Sequence, residues 1–244
     1  GVDTSGVHVS ETAHTARFIC TTDAEQNQIA TFYAGAMSEA RNIELKPIIE
    51  AAGSADVVLI GANDPLAMQR HTDECRFRGY PFAADPSQQL ARMSGEEVKP
   101  LIEGAQYLFT NEYESALIEQ KTGWSAADIA DMVQVRITTL GPNGSRIERR
   151  GQAAVHVPIA EEERKSDPTG VGDAFRAGFL SGQAWGLSDE RSAQVGSLLA
   201  SYVIETVGTQ EYELAQQHFL QRLGRTYGDN AAAEVEGFIS CTRP

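Results

Sequence analysis

From Ala55 onward the chain alternates short apolar, β-rich runs with stretches of helical periodicity. Val57-Val58-Leu59-Ile60 is apolar throughout and stops at Gly61, the pattern of a strand buried on both faces. A helical pattern from Pro65 to Arg78 follows, then Phe82-Ala83-Ala84, halted by Asp85-Pro86. Tyr107-Leu108-Phe109 predicts the next strand and leads into a helix running through Glu119. Val133 to Leu140 predicts another strand, ending at Gly141; a hairpin-like segment from Ser145 to Val157 then precedes three closing helical stretches. Strand–helix alternation of this kind predicts an α/β fold, a mostly parallel sheet covered by helices. Ligands of such sheets sit beyond the carboxyl ends of the strands. The residues that follow the predicted strands are Asn63 and Asp64, Asp85 to Gln89, Asn111 and Glu114, and Gly141 to Gly144. All are polar, proline or glycine, which suits a shared cleft, although loops after strands are polar in any protein that meets water.

The first fifty residues follow a different pattern. Thr15 to Thr22 and Gln28 to Tyr33 predict two short strands joined by a polar turn, Asp23 to Asn27. A two-stranded ribbon is marginal by itself, so its aromatics, Phe18, Phe32 and Tyr33, must cover something. They form either the core of a small satellite sheet or a stacking lid over a flat ligand.

The most informative run is Asp167-Pro168-Thr169-Gly170-Val171-Gly172-Asp173-Ala174-Phe175. Pro168 disfavours a helical backbone at Asp167, so a helix begins after the Gly-x-Gly turn and continues through the apolar-periodic stretch Ala174 to Leu180. A helix start carries unpaired N–H groups and a partial positive charge. Glycines at 170 and 172 remove the Cβ atoms that would keep an anion from those N–H groups, and Asp173 adds a carboxylate beside them. A phosphate cradle with an adjacent base is what a phosphoryl transferase requires. The alternative is local: an aspartate in a first turn favours the dipole anyway, and Gly-x-Gly is often only a turn.

Composition narrows the options. The chain has 244 residues and a net charge of −14, which argues against nucleic acid or an anionic membrane as partner. A polyanion site would need its own local positive field, which backbone amides supply. No apolar stretch approaches the ~20 residues that span a bilayer. The three cysteines, Cys20, Cys75 and Cys241, are odd in number and far apart, as free thiols of a reducing cytosol are. His71 and Cys75 stand four apart on a predicted helix with no further ligand nearby, which predicts a helix flank and no zinc site.

Two further motifs bear on chemistry. Thr139-Leu140-Gly141-Pro142-Asn143-Gly144 is a strand-to-glycine turn that would let backbone approach a nucleotide; with no Gly-Lys-Ser/Thr after it, a Walker A loop is excluded. Asn111-Glu112-Tyr113-Glu114 sets an amide and a carboxylate three apart at a helix start. They suit phosphate oxygens and hydrated Mg²⁺, or equally an N-cap with its capping-box partner.

In order, Asn-x-x-Glu, Thr-x-Gly-x-x-Gly and Asp-x-x-Gly-x-Gly-Asp resemble the ribokinase-like (PfkB-type) kinase family. The stretches Ser10 to Phe18, Ala83 to Arg92, Asp167 to Leu180 and Glu205 to Tyr212 look like bacterial-type adenosine kinases. The resemblance implies a three-layer α/β/α core over 41–244 and the remainder of a β lid over 1–40, mainly Thr15 to Tyr33. It implies ATP-dependent phosphorylation of the 5′-hydroxyl of adenosine to AMP, a purine-salvage reaction in the cytoplasm. By that resemblance Asp173 is the general base, and the N–H groups of Gly170, Val171 and Gly172 form the anion hole. Asn111, Thr139, Gly141, Gly144 and Gly172 line the ATP site. Phe18, Phe32, Gln88, Gln89, Arg92 and Asp173 meet the nucleoside. Glu114 holds Mg²⁺, while Asp167, Thr169 and the Val203 to Gly208 loop hold a monovalent cation such as K⁺. Lid ribbons of such kinases often pair between subunits, which implies a homodimer. Family members also carry an N-terminal segment with the first sheet strands, part of the lid, a ribose-binding aspartate and a Gly-Gly loop. Nothing here matches it, so the resemblance implies a truncated chain beginning at Gly1, whose activity alone is in question. The alternatives are a kinase of another nucleoside or a sugar, or a silent nucleotide-binding fragment.

Overall fold

The computed structural model describes residues 2–23, 25 and 28–239. Cys241 and part of the 23–27 turn lie outside the described residues. By the density of internal contacts the chain divides into two units. The first holds Gly1–Asp23, Asn27–Thr138 and Glu148–Gln152; the second holds Ala24–Gln26, Thr139–Ile147 and Ala153–Pro244.

In the first unit β1 (Arg17–Thr22) and β2 (Gln28–Tyr33) make the predicted antiparallel ribbon, with Phe18 opposite Phe32. A 3-10 segment, Gly35–Asn42, and helix α1 (Leu45–Ala52) follow. Strand β3 (Val58–Ile60), helix α2 (Pro65–Arg78), strand β4 (Phe82–Ala84), helix α3 (Gly95–Ile102) and strand β5 (Tyr107–Asn111) then alternate. They continue into α4 (Glu112–Thr122), α5 (Ala126–Met132) and β6 (Val135–Thr139). β3 pairs parallel with β4, and β4 with β5, as continuous apolar strands joined by crossover helices require. β3, β4, β5 and β6 stand side by side in sequence order.

Local chemistry explains the helix boundaries. Asp64 caps α2 through the Ala67 amide, Pro65 sits in the first turn, and Gly79 ends the helix at φ +72°. Capping boxes close α3 through Ser94 and Glu97, and α5 through Ser125 and Asp128. Ile60, Met68, Phe82, Leu90, Leu101, Ile102, Leu108 and Ile118 pack into one core. His71 and Cys75, expected on a flank, lie on the buried face of α2. The His71 ring bonds the Ile43 carbonyl, and burial pushes the Cys75 thiol up to about 11, so it is inert at neutral pH.

The second unit contains most of the antiparallel pair β7 (Ser145–Arg149) and β8 (Val155–Val157), with Ile147 opposite Val155. Helices α6 (Val171–Ala184), α7 (Asp189–Ile204), α8 (Gln216–Tyr227) and α9 (Asp229–Ile239) follow. Four helices close the chain, not three, because a single residue, Gly228 at φ +93°, separates α8 from α9. α6 and α7 pack backbone against backbone. A Cβ on Gly178 would collide with the Gly196 backbone, and one on Gly182 with Ser192. Leu198, Tyr202, Phe219, Leu223 and Val235 form this unit's core.

Candidate active site

In the second unit the Asp167–Asp173 run folds as the sequence predicts: a turn, then a helix start. Gly170 is the N-cap of α6 at φ +83°, and no side chain caps the helix. Any side chain at 170 would be strained by that φ and would meet Thr209 besides. The Val171 amide makes a long contact, 3.4 Å, to the Pro168 carbonyl. Helix geometry gives the Gly172 and Asp173 amides no acceptor in their own helix. The Asp173 side chain is 86 % exposed, with Oδ1 3.7 Å from Nη1 of Arg176.

Asp167 ties this turn to the 203–208 loop. Its carboxylate accepts from the Thr169 and Gly208 amides, while the Ser166 and Asp167 amides donate to the Ile204 carbonyl. Bonds from Thr169, side chain first, hold Asp167 below the usual carboxylate range. Beneath the loop, Arg222 is almost fully buried and bonds both oxygens of Glu205 at 2.7 and 3.0 Å, with Ser201 and the Glu161 carbonyl as further acceptors. Burial pushes Glu205 up, but the Arg222 hydrogen bond and the Glu163 amide outweigh it and the carboxyl stays low. Asp167 and Thr169 thus meet the 203–208 loop through the Asp167 carboxylate, and an ionised oxygen there fits one donor of a monovalent-cation shell.

The two glycines of the Thr139–Gly144 turn do different work. Open space surrounds Gly141 where a side chain would stand, whereas a side chain on Gly144, at φ +88°, would strike the Val157 carbonyl. Gly141 fits the approach of a ligand; Gly144 is needed so that the turn can lie against β8.

In the first unit the expected nucleotide residues, Asn111 and Glu114, form a capping box. Asn111 Oδ1 accepts from the Glu114 amide, and Glu114 Oε2 accepts from the Asn111 amide, both at 2.8 Å. The local alternative is therefore realised. Glu114 Oε1 takes no part in that box, and a single carboxylate fits Mg²⁺ held mainly by water and phosphate. Among the described residues no group of three or more His, Cys, Asp or Glu would cage a metal.

Gln89, expected on the acceptor side, is buried, and its side-chain amide donates to the Asn63 carbonyl at 2.8 Å. Gln88 and Arg92 remain exposed. Ser87, just before Gln88, adopts φ +45°, a left-handed backbone rare for a non-glycine residue. Asp64 is paired with Arg41 at 2.6 Å. Phe18 and Phe32 share one ribbon face and are 51 % and 42 % exposed, so no core of the first unit claims them. The satellite-core reading is thereby disfavoured. A cavity of about 470 Å³ bordered by Cys75, Tyr80, Phe82 and Gln106 opens at the beginnings of β4 and β5, the end opposite these polar loops.

Arg176 and Thr209 were not anticipated. Arg176 stands three residues after Asp173, a spacing that brings helical side chains together, so the signal was present. Thr209 had none, since it reaches Gly170 only through tertiary folding.

No helix among the described residues is long and apolar enough to cross a membrane. Residues 1–216 match the model of the pfkB family of carbohydrate kinases. A nucleoside kinase of Methanocaldococcus jannaschii is 30 % identical over 212 residues, covering 86 % of this chain and 67 % of the relative. A solved nucleoside kinase of Burkholderia thailandensis, in complex with inosine, is 34 % identical with a TM-score of 0.82, covering 89 % of this chain and 71 % of that one. The same kinase has been solved with ADP-inosine, at a TM-score of 0.81, covering 89 % of this chain and 66 % of that one. An adenosine kinase of Sinorhizobium meliloti, 23 % identical with a TM-score of 0.68 over 82 % of this chain and 63 % of its own, shares the fold. The fold is the ribokinase-like one, and the chain belongs to the pfkB family of kinases.

Proposed function

We propose that the protein transfers the γ-phosphoryl group of ATP to the 5′-hydroxyl of a purine nucleoside. The observation that carries this is the start of α6, where uncapped amides stand beside a solvent-facing carboxylate. In the reaction the acceptor oxygen forms a bond to the γ-phosphorus and the bond from that phosphorus to the ADP oxygen breaks. The hydroxyl proton passes to Asp173. The N–H groups of Gly170, Val171 and Gly172 stabilise charge as it develops on the transferring group. Asp173 need not be a strong base, because a loose phosphoryl transition state calls for proton removal late.

Asn111, Thr139 and Gly141 are the residues we assign to nucleotide contact. Mg²⁺, when bound, would neutralise phosphate charge, and Glu114 would hold it through water. Asp167 would lend a carboxylate oxygen to K⁺, while its bonds from the Thr169 and Gly208 amides fix the turn. The purine preference rests on Phe18 and Phe32, whose half-exposed rings suit a flat base better than a free sugar. The inosine complex of the Burkholderia relative supports a purine nucleoside in general, so inosine stands beside adenosine as candidate.

Measuring ADP release with adenosine, inosine, guanosine, cytidine, ribose and fructose tests the proposal. Turnover confined to purine nucleosides is expected; turnover with free sugars alone, or with no acceptor, would overturn it. Phe18→Ala should raise KM for the preferred nucleoside up to about tenfold, the worth of a stacked ring of ~0.5–1.5 kcal/mol, and leave kcat alone.

A further inference from the structure

We propose that Arg176 is a positioning residue for Asp173, and that Gly172 lacks a side chain so that the Arg176 guanidinium can reach the carboxylate. This rests on the reading of Asp173 as the base. The two partners of the pair differ sharply in freedom: the Arg176 side chain is 14 % exposed and that of Asp173 86 %. A largely buried cation therefore stands beside an exposed anion, and the cation sets where the anion rests. Holding Oδ1 restricts rotation of the carboxylate and leaves Oδ2 for the acceptor proton.

The path of the arginine explains the glycine. Side chains on a helix lean toward its N-terminus, so from position 176 the guanidinium folds back over the first turn. A Cβ at Gly172 would stand 2.5 Å from Nη1, closer than any two such atoms pack. The sequence suggests that Gly172 clears the way for an anion; the structure gives it a second task, clearing the way for an arginine.

The arrangement is not what helix stability would select. A cation over a helix N-terminus opposes the dipole, and glycine inside a helix costs stability relative to alanine. An i,i+3 ion pair at 3.7 Å whose carboxylate faces solvent returns little of either. Two unfavourable choices at adjacent places are explained together if orienting Asp173 is what they serve.

The test uses the full-length protein, with kcat and KM measured for ATP and for the preferred nucleoside. Arg176→Met should lower kcat by about 10- to 100-fold, the cost of a misplaced catalytic group, while both KM values stay within about twofold. Arg176→Lys should recover a substantial part of kcat. Gly172→Ala should displace the guanidinium and lower kcat to a similar degree. The double variant should be no slower than Arg176→Met, because both changes remove one contact. An unchanged kcat in Arg176→Met, a raised KM for ATP with kcat intact, or additive losses in the double variant would each overturn the proposal. Crystal structures of the wild type and of Arg176→Met give a readout that needs no turnover. The Asp173 carboxylate should hold one rotamer beside the Arg176 head in the first and spread over several in the second; an arginine directed elsewhere in the wild type, or an Asp173 rotamer unchanged in Arg176→Met, overturns the inference. Absence of turnover with every acceptor would instead refute the kinase reading and leave the crystallographic arm to decide this one.

Discussion

Helices α4 and α6 both begin at residues expected to meet phosphate, and they begin in opposite ways. α4 closes on itself: the Asn111 and Glu114 side chains satisfy each other's backbone amides. α6 begins on a left-handed glycine with no side-chain cap, and its acidic residue points into solvent. A helix N-terminus invites an anion only where its own chain has not already supplied the acceptors. By that criterion α6 is built to receive a ligand. α4 is built to be a stable helix start, whose capping box leaves out only the Asn111 side-chain amide nitrogen and one Glu114 carboxylate oxygen.

The largest effect that would sharpen this contrast is at the open start. Asp173→Asn should lower kcat by about 10²–10⁴-fold with ATP affinity unchanged; near-normal turnover would erase the distinction. At the closed start Glu114→Gln separates two roles, because glutamine also completes a capping box. The melting temperature should hold while kcat falls by about tenfold, roughly 1.4 kcal/mol, and more Mg²⁺ is needed, since the charge that would hold the hydrated ion is lost. Unaltered Mg²⁺ dependence would confine Glu114 to the helix. Asn111→Ala should destabilise the protein by about 1 kcal/mol, the usual cost of a lost cap, readable in urea unfolding. No change there would mean that the closed ring contributes nothing.

The smallest effect concerns pH. Asp167 has a lowered folded-state pKa, so the stability it contributes is present above its unfolded value near ~3.9. That contribution is lost as the pH falls through the lower folded value. Asp167→Asn should therefore flatten the acid side of the stability curve below about pH 4 and leave its neutral plateau lower. An acid limb identical to the wild type would show that the turn before α6 does not depend on that carboxylate.

Much of this was legible in the residues themselves. Apolar runs that stop at Gly61 and at Asp85-Pro86 give β3 and β4, and Tyr107-Leu108-Phe109 gives β5; β4 is buried throughout as a two-faced strand should be, whereas Leu59 of β3, expected to be buried, is 45 % exposed. The turn before α6 was legible because Gly-x-Gly after Asp-Pro leaves the backbone few options. The fourth closing helix was not, since apolar periodicity runs through Tyr227 and Asp229 and only the backbone angle of Gly228 breaks it. Asn111 and Glu114 were legible as a pair but not as a choice between ligand and cap, since both need the same two side chains at the same spacing. The difference between Gly141 and Gly144 was invisible, because it depends on where β8 passes. Gly172 was recognised by type, while its clearance for Arg176 follows from the direction in which helical side chains lean.

The glycine seam joining α6 to α7 has a bearing on all of this. With Gly178 resting on the Gly196 backbone, the shaft of α6 is clamped along its length, and its tip is aimed from behind. Evolution cannot enlarge residue 178 without re-aiming the tip. Variation at the seam, far from the start of α6, is thereby made to answer for where its first amides point.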